Sequence, residues 1–318
     1  MTDKLKIMMA QLNPIVGDID GNAAKLEQAY GEACREGADI LIASELFLSG
    51  YPPEDLVRKN SFLENIRQAA KALTQLTQAG RTVLIFGLPW QDEKSKKLYN
   101  SVMVAQNGEA TLRHKVHLPN YAVFDEKRLF DQPEKPAPVM VKGICIGLPI
   151  CEDVWHDDIA SHLASQGAEL LLSPNGSPFE CNKHAQRLEH VRQRCAETRL
   201  PLAYINQIGG QDELVFEGRS FVMNVDGAVP VAAPAWKPSL LMTDWEKTEQ
   251  GWKCVSNIAQ PEETELESIY QAAVLGLRDY VEKNRFPGVL LGLSGGIDSA
   301  ICAAIAVDAL GPSRVRCI

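Results

Sequence analysis

The chain has 318 residues, 45% hydrophobic and 23% charged, with a formal net charge of −9; that is enough for about two domains, each with its own core. The acids are scattered and no Lys/Arg block stands out, which argues against nucleic acid or an anionic membrane as partner, and no apolar run approaches the ~18 residues of a spanning helix. The N-terminal stretch "MTDKLKIMMAQ" lacks a signal-peptide core, and the eight cysteines include no C-x-x-C pair, so the sequence reads as cytoplasmic, with reduced thiols and no structural metal.

In chain order, "KIMMAQLN" (6–13) is a short apolar strand. Leu26, Ala29, Tyr30, Ala33 and Cys34 recur at helical spacing and stop at Gly37. "ADILIASE" (38–45) is a strand ending in an acid, Phe62 to Leu76 carries a second amphipathic helix, and "TVLIFGL" (82–88) is a third buried strand. "YNSVMVA" and "EATLRHK" flank Gln106-Asn107-Gly108, a hairpin signal. A proline-rich loop (133–138) leads to the strand "GICIGLPICE", a helix, the strand "AELLLSP", a helix striped by Leu188, Val191 and Cys195, and the strands "PLAYINQ" and "ELVFEGRSFVMNVDG". Residues 228–260 read as proline-bearing coil with one short strand, "WKCVSNI". Leu266, Ile269, Tyr270, Ala273, Leu277, Tyr280 and Val281 then stripe a helix that leads into "VLLGLSGGIDSAICAAIAV" (289–307), a strand, a glycine turn and a helix. Strands alternating with helices imply covered sheets and hairpins imply antiparallel edges, so two mixed sheets with helices outside are expected.

Three reactive residues sit where apolar strands finish: Glu45, Lys115 and Cys151. Such positions favour catalytic groups. Each alone also has an ordinary explanation, as a salt-bridge partner, a solvated charge or a small buried hydrophobe. Their flanks, "SELFLSGYPPEDL" (44–56), "KVHLPNYAVFDEKR" (115–128) and "PICEDVW" (149–155), together resemble the nitrilase superfamily over roughly residues 4–260. The forms "LPNYxVFDE" and "CEDVW" narrow that resemblance to the glutamine-hydrolysing domain of the glutamine-dependent NAD⁺ synthetases.

The resemblance implies a nitrilase-like α-β-β-α four-layer sandwich over 1–260, a linker helix over 261–287, and over 288–318 the first strand-loop-helix of a doubly wound α/β nucleotide-binding domain. It assigns Cys151 as nucleophile, Glu45 as general base, Lys115 as stabiliser of the oxyanion and Glu126 as a second, positioning glutamate. It places Tyr121, Glu152, Trp155, Ser177 and Lys183 around the glutamine. The chemistry needs those residue types: an amide is a poor electrophile, so a covalent step requires a nucleophile, a base to deprotonate it and a preorganised cation for the developing charge.

S-G-G-x-D-S at 294–299 is neither a Walker A loop nor G-x-G-x-x-G. It resembles the pyrophosphate loop of ATP-pyrophosphatases. Gly295 and Gly296 would offer backbone N–H groups, Ser294 and Ser299 hydroxyls, and Asp298 a link to magnesium. The combined resemblance implies glutamine, deamido-NAD⁺ and ATP as substrates, Mg²⁺ with the ATP, no cofactor for the amidase half, and a homo-oligomer. Most of a nucleotide-binding domain is missing after Ile318, so the expectation is a piece of a longer synthetase, competent for amide hydrolysis. The alternatives are a stand-alone C–N hydrolase acting on another amide, and a non-catalytic scaffold subunit.

Overall fold

The computed structural model describes residues 3–261 and 263–318. It begins with β1 (Lys4–Gln11), α1 (Ile19–Arg35), β2 (Ile40–Ala43), α2 (Asn60–Leu76), β3 (Val83–Gln91), β4 (Leu98–Gln106) and β5 (Glu109–His114). A single turn, α3 (Glu126–Leu129), precedes β6 (Val139–Val141), β7 (Ile144–Gly147), α4 (Asp157–Ser165), β8 (Leu170–Asn175), α5 (Lys183–Thr198) and β9 (Leu202–Asn206). Then come the hairpin β10 (Ile208–Gln211) and β11 (Leu214–Glu217), followed by β12 (Phe221–Met223), β13 (Val231–Ala232), β14 (Ser239–Thr248) and β15 (Gly251–Cys254). Last are α6 (Glu265–Lys283), β16 (Val289–Leu291), α7 (Ile297–Leu310) and β17 (Val315–Cys317).

Strand alternation builds the layers. One sheet has the order β15-β14-β1-β2-β3-β4-β5 and the other β13-β12-β9-β8-β7-β6. Ile7, Met9, Ile40, Ile42 and Ile85 face Ile146, Leu170, Leu172 and Ile205 across the gap between the sheets. Their neighbours Met8, Ala10, Leu41 and Phe86 point the other way, onto Leu26 and Ala29 of α1 and Ile66 and Leu73 of α2. Beyond the second sheet, Leu171, Leu202 and Tyr204 pack on Ile159 and Leu163 of α4 and Val191 of α5. Period-2 strands covered on both faces give the α-β-β-α sandwich, each buried side chain contributing roughly 1.5–3 kcal/mol. The parallel core strands β1, β2, β3 and β7, β8, β9 deliver their C-terminal ends to the same region.

Several elements differ from the sequence expectation. The stretch read as coil contains β14, ten residues long, of which Ser239 to Glu246 pair antiparallel with the whole of β1. "ELVFEGRSFVMNVDG" is two strands, because Gly218 (φ 76°) and Arg219 (φ 53°) turn the chain between β11 and β12. Glu45 and Cys151 lie in turns beyond β2 and β7 rather than on the strands. In α6 the buried residues include Ser268, Ala272, Leu275 and Asp279, while Leu266, Ile269 and Tyr280 are exposed. Polar docking explains that inversion. Asp279 accepts hydrogen bonds from Gly210 N–H and Asn13 Nδ2, both at 2.7 Å, and Lys283 donates to Gly210 O at 2.7 Å.

Candidate active site

Three turns bring the site together. Glu45 follows β2, Lys115 is the first residue after β5, and Cys151 opens a 3-10 turn (Cys151–Val154) beyond β7. The Glu45 turn is pressed onto β3: Gly87 N–H donates to Ser44 O at 3.1 Å and Gly87 O accepts from Leu48 N–H at 3.0 Å. A Cβ at Gly87 would overlap the Leu46 nitrogen and come within 2.6 Å of the Glu45 carbonyl carbon, so glycine alone permits the approach.

The four residues Glu45, Lys115, Glu126 and Cys151 are all buried, with 0%, 1%, 4% and 5% exposure. Lys115 Nζ donates to Glu45 Oε1 at 2.7 Å and to Glu126 Oε1 at 2.9 Å. Asn100, on β4, donates to Glu45 Oε1 at 2.7 Å and to Glu126 Oε2 at 3.4 Å. The Tyr51 hydroxyl donates to Glu126 Oε1 and Gly176 N–H to Glu45 Oε2, both at 2.8 Å.

One ammonium cannot balance two buried carboxylates, so the cluster retains a proton close to neutral pH. Burial pushes Glu126 up to about 7, with Lys115 opposing and Glu45 reinforcing the shift. Burial works against the Lys115 ammonium, but the carboxylates of Glu126 and Glu45 outweigh it and hold the amine well above its usual range.

Cys151 has a φ of 45°, a left-handed conformation costing on the order of 1–3 kcal/mol in an L-residue and typical of functional turns. Burial, then the Glu45 carboxylate, push its thiol well above the usual value, while Lys115 opposes them. The resting group is therefore a thiol, and its proton must leave as sulfur attacks, which requires an adjacent base. Asp153 ties this turn to the Lys115 segment. Its Oδ1 accepts from Val116 N–H (3.1 Å) and His117 N–H (2.8 Å), and its Oδ2 from Ile150 N–H (3.0 Å).

The softer candidates fall into two groups. The Tyr121 hydroxyl donates to Glu152 Oε2 at 3.0 Å, and both residues line a cavity of about 630 Å³ with Val116, His117, Pro119 and His156. Cys151, Glu45 and Lys115 are not in that cavity's wall, although Val116 and Glu152, their neighbours in sequence, are. Lys183 Nζ sits 4.8 Å from the centre of the Trp155 ring, and Ser177 adjoins Gly176, the residue that holds Glu45. Asn100, Tyr51, Asp153, Gly176 and Arg187 were not singled out in the sequence. Tyr51 and Asp153 lay inside the quoted flanks, and Asn100 was a polar residue within an apolar strand.

At the far end, β16 and β17 are parallel and joined through α7. The loop before α7 is exposed, with Gly295 at φ 84°. Ser294 Oγ lies 3.1 Å from Ser299 Oγ, and Ser299 Oγ donates to Gly296 O at 3.0 Å. A Cβ at Gly295 would meet nothing within 4 Å, leaving room for an anion at the N-terminus of this 14-residue helix. Asp298 lies in its first turn. Among the described residues no cluster of three or more His, Cys, Asp or Glu is placed to hold a metal, and no helix is long and apolar enough to cross a membrane.

The two-sheet sandwich is the fold of a known family. Residues 6–253 match the carbon-nitrogen hydrolase family, and the chain belongs to it. Residues 269–318 match the NAD synthase family. The chain is 44% identical over 320 residues to the glutamine-dependent NAD(+) synthetase of Rhodobacter capsulatus, covering 100% of this chain and 57% of that one. It is 37% identical over 343 residues to that of Aquifex aeolicus, covering 98% and 60%. The solved glutamine-dependent NAD⁺ synthetase from Acinetobacter baumannii, in complex with adenosine diphosphate, superposes with a TM-score of 0.91 at 38% identity, over 99% of this chain and 59% of that one. An amidase from Nesterenkonia sp. AN1 shares the fold, with a TM-score of 0.67 at 23% identity over 75% of this chain and 92% of its own. The chain thus spans under two thirds of the synthetases it matches.

Proposed function

We propose that this chain hydrolyses the side-chain amide of glutamine through a Cys151 thioester, as the ammonia-producing part of a cytoplasmic, homo-oligomeric glutamine-dependent NAD⁺ synthetase. Residues 1–260 form the amidase, 261–287 the linker and 288–318 the start of the synthetase unit. The observation that carries the reading is the buried Glu45–Lys115–Glu126 cluster whose charges act on the Cys151 thiol.

In this reading Sγ of Cys151 attacks the amide carbon while Glu45 takes the thiol proton. The carbonyl oxygen becomes an oxyanion beside the Lys115 ammonium, a stabilisation worth about 3–4 kcal/mol in comparable acyl-transfer sites. Glu45 returns the proton to the amide nitrogen, the C–N bond breaks and ammonia leaves. Glu45 then takes a proton from water, the resulting hydroxide attacks the thioester, and glutamate departs as Cys151 regains its proton. Glu126, half-protonated near neutral pH, holds Lys115 in place without cancelling its charge. Tyr121, Glu152, Trp155, Ser177 and Lys183 bind the amino-acid part of the substrate.

For the ligase half, Ser294, Gly295, Gly296 and Ser299 would cradle the pyrophosphate of ATP. Asp298 would face its magnesium, which neutralises phosphate charge when bound. Ammonia would then attack the acyl carbon of adenylated deamido-NAD⁺, breaking the acyl–oxygen bond and expelling AMP. The test is ammonia release from glutamine by this chain, with the mass of an adduct on Cys151 from a glutamine-mimicking diazoketone. Cys151→Ala should lower turnover at least about a thousandfold. Folded protein that neither releases ammonia nor forms the adduct sinks the reading, and equal turnover of asparagine or aliphatic amides points to another C–N hydrolase.

A further inference from the structure

Glu45, Lys115 and Cys151 all sit in turns, but Asn100, which holds two of them, sits on a strand. It is fully buried near the start of β4, opposite Pro89 of β3. Its carbonyl accepts from the Lys115 N–H at 2.8 Å, and its Nδ2 donates to Glu45 Oε1 at 2.7 Å and to Glu126 Oε2 at 3.4 Å. The Glu45 carboxylate only accepts, so the amide must present its nitrogen there, which fixes its orientation. The arrangement leaves Asn100 Oδ1 buried without a partner among the described residues. An acceptor stranded that way costs about 1–3 kcal/mol, and packing alone does not account for it.

The bonds on Glu45 divide its two oxygens. Oε1 accepts from Lys115 Nζ and from Asn100 Nδ2, both at 2.7 Å, which fills both of its lone-pair positions. Among the described residues Oε2 accepts from Gly176 N–H alone, at 2.8 Å, so one position stays open there. The Lys115 ammonium, at the end of a long side chain, would by itself leave the carboxylate free to turn. The amide of Asn100 adds a second point of attachment, on a short side chain carried by a rigid strand.

We propose that Asn100 is a positioning residue acting through Glu45: with Lys115 it saturates Oε1, which leaves Oε2 as the atom that takes the proton of Cys151. The inference rests on the amidase reading above and deepens it. Asn100 contacts the oxygen that does not react, and its effect passes entirely through the base.

The experiment is a double-mutant cycle of Asn100→Leu and Glu45→Gln, read by alkylation of Cys151 with iodoacetamide. In that reaction sulfur bonds to carbon, iodide leaves and the thiol proton goes to a base. Digestion and mass spectrometry separate the Cys151 peptide from those of the exposed cysteines. Leucine matches the amide in size and lacks its donor, while the backbone carbonyl that holds Lys115 stays. Alkylation should slow about 10- to 100-fold in Asn100→Leu, the scale on which a placed general base acts. The kcat for ammonia release from glutamine should fall by a similar factor, with KM within about threefold of wild type. In Glu45→Gln the added Asn100→Leu should change the alkylation rate by less than about threefold, because the base it serves is already gone. Equal slowing in both backgrounds, a raised KM with kcat unchanged, or no slowing at all overturns the role of Asn100. If Asn100→Leu does not fold, a crystal structure of the wild-type iodoacetamide adduct carries the test. There the Glu45 oxygen bonded to Gly176 N–H should lie nearer Sγ, and the other should keep its bond to Asn100 Nδ2; the reverse order overturns the assignment. Folded wild-type chain that releases no ammonia from glutamine sinks the amidase reading and this inference with it, whereas an additive cycle in a chain that does release ammonia sinks this inference alone.

Discussion

Lys115 and Glu126 lie 2.9 Å apart, both buried, and Lys115 also serves Glu45. Removing the cation strands two carboxylates among apolar neighbours. Lys115→Met should lower the unfolding free energy by about 3–5 kcal/mol. Adding Glu126→Gln to it should restore a large part, because one of the stranded charges is gone. Urea melts of the four proteins in that cycle measure the coupling. Simple additivity would mean the pair is not the unit described here.

Glu126 also sets a pH dependence whose sign follows from its raised value. Its carboxyl sits at about 7 in the folded protein because burial disfavours the anion. In the unfolded chain it titrates near roughly 4.3. The folded state therefore binds the proton more tightly, a contribution complete below the unfolded value and lost as pH climbs through the folded one. At about 1.4 kcal/mol per unit, the loss between acid and mildly alkaline pH is on the order of 3 kcal/mol. Glu126→Gln removes it, so wild type minus variant stability should fall as pH rises. The inflection near neutrality in kcat/KM should vanish with it. Parallel stability curves would refute the assignment.

Gly87→Ala tests how the base is placed. The added methyl would strike the backbone of Leu46 and Glu45, which cannot rotate away as a side chain could. The turn must shift, and overpacking of this kind costs about 1–3 kcal/mol. Because the shifted residue is the proposed base, ammonia release should fall much further than stability, by about a hundredfold or more. A variant that melts early yet turns over normally would show that the Glu45 position is not critical.

What could be read from the sequence divides along physical lines. Continuous apolar strands such as "ILIA" and "LLLS" are visible because both faces are covered, and Glu45, Lys115 and Cys151 stand out as reactive groups at their ends. β14 was missed because Leu240 and Met242 pack on one core and Leu241 and Trp245 on the other, which erases alternation in a stretch already rich in polar residues. Asn100 and Asp153 were missed for a different reason. Each works by satisfying groups from distant segments, and no local pattern records what lies across a sheet. Helix α6 shows the converse error: its apolar stripe is visible, but the face that docks carries Asp279.

That face gives the last prediction. Asp279 accepts from Gly210 N–H and Asn13, and pairs with Lys283 at 3.3 Å, joining α6 to the hairpin β10–β11 and to the loop after β1. Asp279→Ala unpairs the buried Gly210 N–H and the part-buried Asn13 amide and leaves Lys283 without this counter-charge, a loss of about 2–4 kcal/mol in docking. The sandwich core makes none of these contacts. Hydrogen exchange should therefore quicken across α6 while the amides of β1, β2 and β3 keep their protection, and ammonia release should stay within about twofold. Uniform loss of protection would mean that helix and sandwich unfold as one unit. Unchanged protection in α6 would mean that packing of Val274, Leu275 and Val281, rather than this ion pair, holds the helix.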